Sequence, residues 1–498
     1  MFQASAPNGI PAVMSTTGGD DRGTAQVVPR PQLITYPDSL GGDLDALSGV
    51  LEGPMAGLFR GVHILPPYPS SGDRGFSPLT HVEIDPKFGG WEDIEKIATH
   101  HDVMLDLMVN HMSRRSPEFR DFVKRGRESP YADLFLTLDK VWPDASPPFD
   151  DLGRIFLRKP GSPFTTVTIS DTGEPVTLWT TFGTKGASEQ IDLDVHSELT
   201  RAMIEDWLRV LASHGARMIR FDAVGYVIKK PGTSCFMIEP DIYEYLGWAS
   251  ATAARFGLTL LPEVHDRYQT HQKLSDHGYW TYDFVLPALV LNALLTGTTA
   301  RLATHLSASP DHQFTTLDCH DGIPVRPDLD GILEPDEMRE LAEGVVAGGG
   351  NVSRLVTSAP GEVDIHQLNG TYYSALGEDD DRYVAARAIQ LFARGVPQIY
   401  YVGLLAGTND HDAVERTGEG RAINRHDYTL AEIDTTLSRP VVGRLLELVR
   451  LRNTHPAFEG RLQVETESES RLRLDWIGNG VTCSLYVDLA TGHLDVET

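Results

Sequence analysis

Eight short runs rich in β-branched and aromatic residues alternate with longer amphipathic stretches, and this rhythm limits the possible folds more than any other feature of the chain. The runs are LITY (33–36), GVHILPP (61–67), VMLDLMVNH (103–111), ARMIRFDAV (216–224), TLLPEV (259–264), YWTYDFVLP (279–287), QFTTLDCHDG (313–322) and VPQIYYVG (396–403). Between them apolar residues recur at the helical period. LTRAMIEDWLRVLASHG is one such stretch, and Gly215 ends it just before the fourth run. Strands that alternate with helices build parallel sheets, and eight of them predict an α/β fold of the (β/α)8 TIM-barrel type.

Two long interruptions break the rhythm. Residues 112–186 follow the third run and residues 323–377 the seventh. Connections of this length are usually functional or small domains, and both leave the strand ends where barrel enzymes build their sites. After His455 the pattern turns to alternation, in RLQVETESESRLRLDWIG and VTCSLYVDL, which reads as an antiparallel sheet. The expected organisation is a flexible tail at 1–30 and a barrel built from 31–111, 187–322 and 378–457. Inserted subdomains occupy 112–186 and 323–377, and a C-terminal β domain occupies 458–498.

Composition removes several function classes. A formal charge of -27, from 43 Lys plus Arg against 70 Asp plus Glu, repels nucleic acid and anionic lipid. No apolar run is long enough to span a bilayer. The opening MFQASAPNGIPAVMSTTGGDDRG lacks a basic start and an unbroken apolar block, so no secretion signal is expected. Cys235, Cys319 and Cys483 form no C-x-x-C pair, which fits a reducing cytoplasm and no disulfide framework. No metal or cofactor is expected, the partners are small molecules, and the oligomeric state is not legible.

Four of the runs end in charge: Asp106, Asn110 and His111 on the third, Arg220 and Asp222 on the fourth, Glu263 and His265 on the fifth, His320 and Asp321 on the seventh. Burying such groups without partners is costly, so their convergence on one rim points to chemistry. Glycoside cleavage needs a proton donor on the leaving oxygen and a carboxylate facing the anomeric carbon. A retaining enzyme holds the two roughly 5–5.5 Å apart. Neighbouring strands four and five can bring Asp222 and Glu263 to such a spacing. Arg220, two residues before Asp222 on the same face, is expected to hold it ionised. His320 and Asp321 are placed to grip adjacent sugar hydroxyls.

These residues resemble the α-amylase superfamily, family 13 of the glycoside hydrolases. DLMVNH (106–111), RMIRFDAV (217–224), PEVH (262–265) and TLDCHD (316–321) match its four signature regions in order. The resemblance implies Asp222 as nucleophile, Glu263 as acid/base and Asp321 as transition-state stabiliser. FDAVGYVIKKPGTSCFM, NGTYYSALG, ARGVPQIYYVG and GRAINRH are similar to the sucrose phosphorylase branch. There the positions of Asp73, Phe76, His111, Arg220 and Arg425 line the glucose pocket. Phe76 alone reads equally well as a core aromatic.

That branch transfers glucose to phosphate rather than to water, and the signature regions do not distinguish the two acceptors. The loops carry the distinction. IFLRKPGSPF (155–164) and GEVDIHQLNGTYY (361–373) place Arg158 and His366 where plain sucrose phosphorylases have neutral Pro and Tyr. Members acting on sucrose 6′-phosphate resemble this chain at both positions. Arg158 offers a donor fork, Lys159 a mobile charge and His366 a tunable donor for a phosphate on the fructosyl unit, or for the attacking phosphate. Glycerol- and glycerate-releasing relatives resemble a pattern with a second Asp where Arg74 stands. Asp364, Gln367 and Tyr226 are further candidates for the leaving-sugar subsite. Rival readings are a phosphorylase of unphosphorylated sucrose, a hydrolase or transglucosidase, and a non-catalytic barrel; the last is disfavoured because all three carboxylates are present.

Overall fold

The structure, a computed structural model, describes residues 27–183, 189–325, 330–354 and 365–498, and of His366 only the backbone. Eight strands make one parallel sheet. They are β1 (Gln32–Thr35), β2 (Gly61–Ile64), β3 (Asp102–Met108), β4 (Ala216–Asp222), β5 (Thr259–Pro262), β6 (Thr281–Asp283), β7 (Gln313–Thr315) and β8 (Val396–Tyr400). Their ladder runs β6-β7-β8-β1-β2-β3-β4-β5, a cylinder closed except between its first and last members. Each strand coincides with one of the eight runs read from the sequence, β1 and β3 starting one residue earlier, at Gln32 and Asp102.

Alternation along the strands separates two cores. Met104, Met218, Leu261, Phe314 and Val396 cluster inside the cylinder. Val103, Leu105 and Leu107 join the larger core shared with the helices outside. The helix Glu198–Ser213 shows how these elements end. Ser197 caps its start by accepting from the Thr200 N–H, and Gly215 at φ +91° turns the chain into β4. A Cβ at Gly215 would lie 2.6 Å from the Ala98 Cβ, so the turn has no room for another residue.

Two insertions stand on the C-terminal rim. After β3 the chain forms a short ladder of His111–Ser113 with Gln190–Asp192 and a hairpin of Phe164–Thr168 with Pro175–Trp179. After β7 it forms a three-stranded sheet of Ile323–Pro324, Asn351–Arg354 and Ile365–Asn369, with the helix Pro335–Ala347 beside it. Four antiparallel strands from Arg461 to Glu497 finish the chain. Trp476 on that sheet donates its indole N–H to Phe392 O at 2.7 Å, tying the sheet to the barrel helix Asp380–Phe392. Residues 27–30, at the end of the expected tail, are packed in place. Arg30 bonds Asn453 O and pairs with Glu459 at 2.6 Å.

Register sets the level of the polar groups. Asp106 pairs with Arg220 and Met108 with Asp222 across β3 and β4. The Glu263 N–H continues the β4–β5 ladder by donating to Phe221 O at 3.0 Å. Behind β7, Arg387 and Asp318 pair at 2.7 Å with both side chains fully buried. Arg387 also donates to Tyr383 and Gln390. Arg387→Ala would leave the Asp318 charge buried and unmatched, and stability should fall by ~3–5 kcal/mol. Calorimetric melting of the variant checks this, and an unchanged transition would refute it.

Candidate active site

One buried guanidinium organises the centre of the rim. Arg220 lies 2.5 Å from Asp106, 2.9 Å from Asp222 and 3.4 Å from Glu263. Asp222 and Glu263 therefore face a common space from the ends of β4 and β5. Ala223 follows the first carboxylate in the left-handed region, at φ 54°, and its N–H donates to Glu263 Oε2 at 3.1 Å. His265 stacks on Phe284 at 4.2 Å, and its Nε2 lies 2.6 Å from Glu263 Oε1.

Arg220 serves three carboxylates at once, so its pull on Asp222 is shared. Burial pushes the Asp222 carboxyl well above its usual range; Arg220 opposes this, but the charges of Glu263, Asp106 and Asp321 reinforce it. Burial also works against the Glu263 charge, but His265 and Arg220 outweigh it and bring that carboxyl down to about 2. The two facing carboxyls are thus pushed in opposite directions, Asp222 up and Glu263 down.

Asp321 and His320 are not on β7. They lie past its end, on the tight turn Cys319–Gly322, because the ladder stops at Thr315. Burial disfavours the Asp321 charge, yet Arg421, His320 and Arg425 outweigh it and hold the carboxyl well below its usual range. Burial lowers His320 to about 3, so its ring is neutral near pH 7 and the arginines carry the positive charge beside Asp321. Asn110 and His111 likewise lie beyond β3, and His111 opens the short insertion ladder.

The residues expected on the glucose side gather round Phe76, whose ring stacks on His320 at 4.9 Å with 4° between the planes. His111 Nε2 and Gln190 Nε2 both meet Phe76 O at 2.9 Å. Phe76 thus belongs to the pocket wall as well as to the core. Asp73 lines the same pocket from a turn in which Asp73, Arg74 and Gly75 all have positive φ. Such backbone is strained for two non-glycine residues and persists because its surroundings fix it. A Cβ at Gly75 would lie 2.5 Å from Pro66 O. Arg74 turns away from the pocket to Asp38 and Asp427, over the Tyr36 ring at 4.2 Å. Arg425 donates to His320 O at 2.8 Å and stands 3.8 Å behind Asp321.

On the opposite wall Arg158 lies 5.9 Å from the ring centres of both Phe182 and Tyr226. Tyr226 packs on Phe236 at 4.7 Å. Lys159 departs from expectation. It is buried, and its ammonium donates inward to Thr180 at 2.7 Å and Phe182 O at 3.0 Å. Burial lowers it to about 8. It braces the loop rather than offering mobile charge. Gln367 reaches the pocket from the second insertion. Asp364 lies outside the described residues, as does the His366 side chain.

Four pocket residues were missed in the sequence: Phe182, Gln190, Ala223 and Arg421. Arg421 pairs with Asp321 at 2.8 Å. It stands in the motif GRAINRH, where Arg425 drew the attention instead. Glu263, His265 and Asp321 also bring one ligand atom each within 4.8 Å of one another, a grouping that sequence spacing does not reveal. Arg220 and Arg421 already match its two carboxylates, so we assign no metal to it.

A family profile described as alpha amylase, catalytic domain, matches residues 42–274. A sucrose 6(F)-phosphate phosphorylase of Thermoanaerobacterium thermosaccharolyticum is 52% identical over 94% of this chain and 96% of its own length. The chain belongs to the α-amylase family, in its sucrose phosphorylase branch. A sucrose phosphorylase of Streptococcus mutans is 43% identical over 90% of this chain and 93% of its own. The crystal structure of sucrose 6F-phosphate phosphorylase from Thermoanaerobacter thermosaccharolyticum superposes with a TM-score of 0.92, at 50% identity, over 95% of this chain and 96% of that one. The α-amylase-type barrel is thus common to chain and neighbours.

The raised Asp222 carboxyl is directly testable. The infrared difference spectrum of wild type minus Asp222→Asn at pH 7 should contain one protonated-carboxyl band. Its absence would mean that both facing carboxyls are ionised.

Proposed function

We propose that this protein is a retaining phosphorylase of sucrose 6′-phosphate, yielding α-glucose 1-phosphate and fructose 6-phosphate. The observation that carries this reading is a pocket that ends in two facing carboxyls at one guanidinium and presents Arg158 on its outer wall. The first feature suits double displacement and the second suits a phosphorylated leaving sugar. The relative at 52% identity is named for that substrate, and the one at 43% for unphosphorylated sucrose.

In this mechanism glucose lies against Phe76 with its C1 at Asp222. Arg425 and Asp321 receive its hydroxyls; the Arg425 Nη2 has no hydrogen-bond partner among the described residues. A sugar between the carboxyls separates them, so the Asp222 proton moves to Glu263, beside the glycosidic oxygen. Asp222 attacks C1, the C1–oxygen bond breaks, and Glu263 protonates the departing sugar. A phosphate oxygen then attacks C1, its proton returns to Glu263, and Asp222 leaves as carboxylate. Asp321, held anionic by the arginines, stabilises the oxocarbenium-like states.

Arg158, with His366 and Gln367, receives the phosphate of the leaving sugar. Lys159 acts through the backbone at Phe182, and Tyr226 and His265 shape the same subsite. We place the reaction in the cytoplasm. All three cysteines are free and buried, and no helix among the described residues is long and apolar enough to cross a membrane. The insertions at 112–186 and 323–377 act as the subdomains that carry acceptor choice.

The deciding assay supplies sucrose or sucrose 6′-phosphate, with and without phosphate, and quantifies glucose 1-phosphate. Free glucose as the sole product would sink the phosphorylase reading. Asp222→Asn should abolish transfer with every donor, because an amide forms no glycosyl ester; full turnover would remove it as nucleophile. Arg158→Ala should weaken use of sucrose 6′-phosphate by about 1.5–3 kcal/mol while leaving sucrose little changed. Equal losses on both would argue against the phosphate contact.

A further inference from the structure

The phosphorolytic reading requires two different phosphates to be held in turn. The phosphate of the leaving sugar sits on fructose C6, several bonds from the glycosidic oxygen. The attacking phosphate must put an oxygen where that glycosidic oxygen was. One cation cannot serve both positions without a large movement. Arg158 stands on the Phe182 and Tyr226 side of the pocket, which suits the remote phosphate.

A second cation stands where the attacking phosphate would arrive. Arg421 lines the pocket, and its Nη1 is 2.8 Å from Asp321 Oδ1. Asp321 in turn brings an oxygen within 4.8 Å of Glu263, which must accept the phosphate's proton. The Arg421 side chain is 31% exposed, twice the 15% of Asp321, and it lines the pocket beside that carboxylate. Among the described residues its Nη2 makes one long hydrogen bond, 3.3 Å, to Gln367 Oε1.

The backbone beneath Arg421 is fixed. It belongs to the short helix Gly420–Asn424, and Asn351 donates to Gly420 O at 3.1 Å. A Cβ at Gly420 would lie 2.8 Å from Asn351 Oδ1, so the second insertion is packed tightly on this turn. The guanidinium therefore has a defined root and a solvent-facing edge.

We infer that Arg421 holds the attacking inorganic phosphate in the second half-reaction, with one edge on Asp321 and the other on a phosphate oxygen. In that step a bond forms between the phosphate oxygen and C1. The C1–oxygen bond to Asp222 breaks with its electron pair staying on the carboxylate, and the phosphate's proton passes to Glu263. Phosphate dianion, ionised Glu263 and the emerging Asp222 carboxylate crowd negative charge into one place. A fixed guanidinium offsets that charge for phosphate and does nothing for water, which carries none. Arg421 thereby sets the preference for phosphate over water, an assignment that rests on the phosphorolytic reading above.

The test measures how the glucosyl-enzyme divides between phosphate and water. α-Glucosyl fluoride serves as donor, so the subsite for the leaving sugar phosphate is not engaged. The ratio of glucose 1-phosphate to glucose is followed as phosphate rises, for wild type, Arg421→Gln and Arg421→Lys. This ratio reads only events after the glucosyl-enzyme has formed, so it does not depend on how much variant is folded. Gln keeps a donor for Asp321 but loses the charge. The phosphate concentration giving an even division should rise about 10- to 100-fold in Arg421→Gln, and Arg421→Lys should recover part of the loss. An even-division point unchanged in Arg421→Gln, even with slower turnover, would reduce Arg421 to a support for Asp321 and overturn the assignment. A wild type that forms no glucose 1-phosphate would instead overturn the phosphorolytic reading itself.

Discussion

Three carboxylates compete for Arg220 at the head of the barrel, and the rest of the site follows from that competition. A guanidinium with one carboxylate would give a plain buried ion pair. With Asp106, Asp222 and Glu263 around it, and His63 against Asp106 at 2.8 Å, its charge is divided. Burial and the neighbouring carboxylates push Asp222 up, while His265 and Arg220 bring Glu263 down, so the two facing carboxyls are biased toward opposite protonation states. Neither the charge of Asp222 nor that of Glu263 is a property of the residue alone.

Around this centre the insertions are pinned by ammonium groups turned inward. The Lys229 ammonium meets Asn110 Oδ1 at 3.1 Å, Asp192 Oδ2 at 2.9 Å and the carbonyl of Tyr226. Those partners come from the end of β3, from the return strand of the first insertion and from the turn after Asp222. Thr181 adds its N–H to the same Asp192 at 2.8 Å, next to the loop that Lys159 braces. The Phe182 side of the pocket is therefore fastened to the turn after Asp222 through buried polar contacts as well as through ring packing, with Phe182 on Tyr226 at 5.2 Å.

Much of this was legible in the chain because its signals are local. Eight β-branched runs marked eight strands, and a charged residue at the end of an apolar run marked a rim. The misreadings share one cause, which is that side-chain direction in loops depends on distant contacts. Lys159 reads as a surface cation beside Arg158, yet Thr180 and Phe182 O draw it inward. Arg421 and Arg425 stand four residues apart in one motif, and only the packing of the Gly420–Asn424 turn against Asn351 places the former in the pocket wall. The raised Asp222 carboxyl was invisible for the same reason, since it depends on burial and on how many charges converge beside one arginine.

The turn at Asp73–Gly75 carries a consequence for how such a scaffold can diversify. Its backbone is wedged against Pro66 and offers no space for a longer residue at Gly75, while Phe76 just beyond it supplies both a ring face and a carbonyl to the pocket. Heritable variation at Gly75 is consequently narrow: any side chain there must displace the main chain at Pro66, and with it the ring and carbonyl that the next residue lends to the pocket wall.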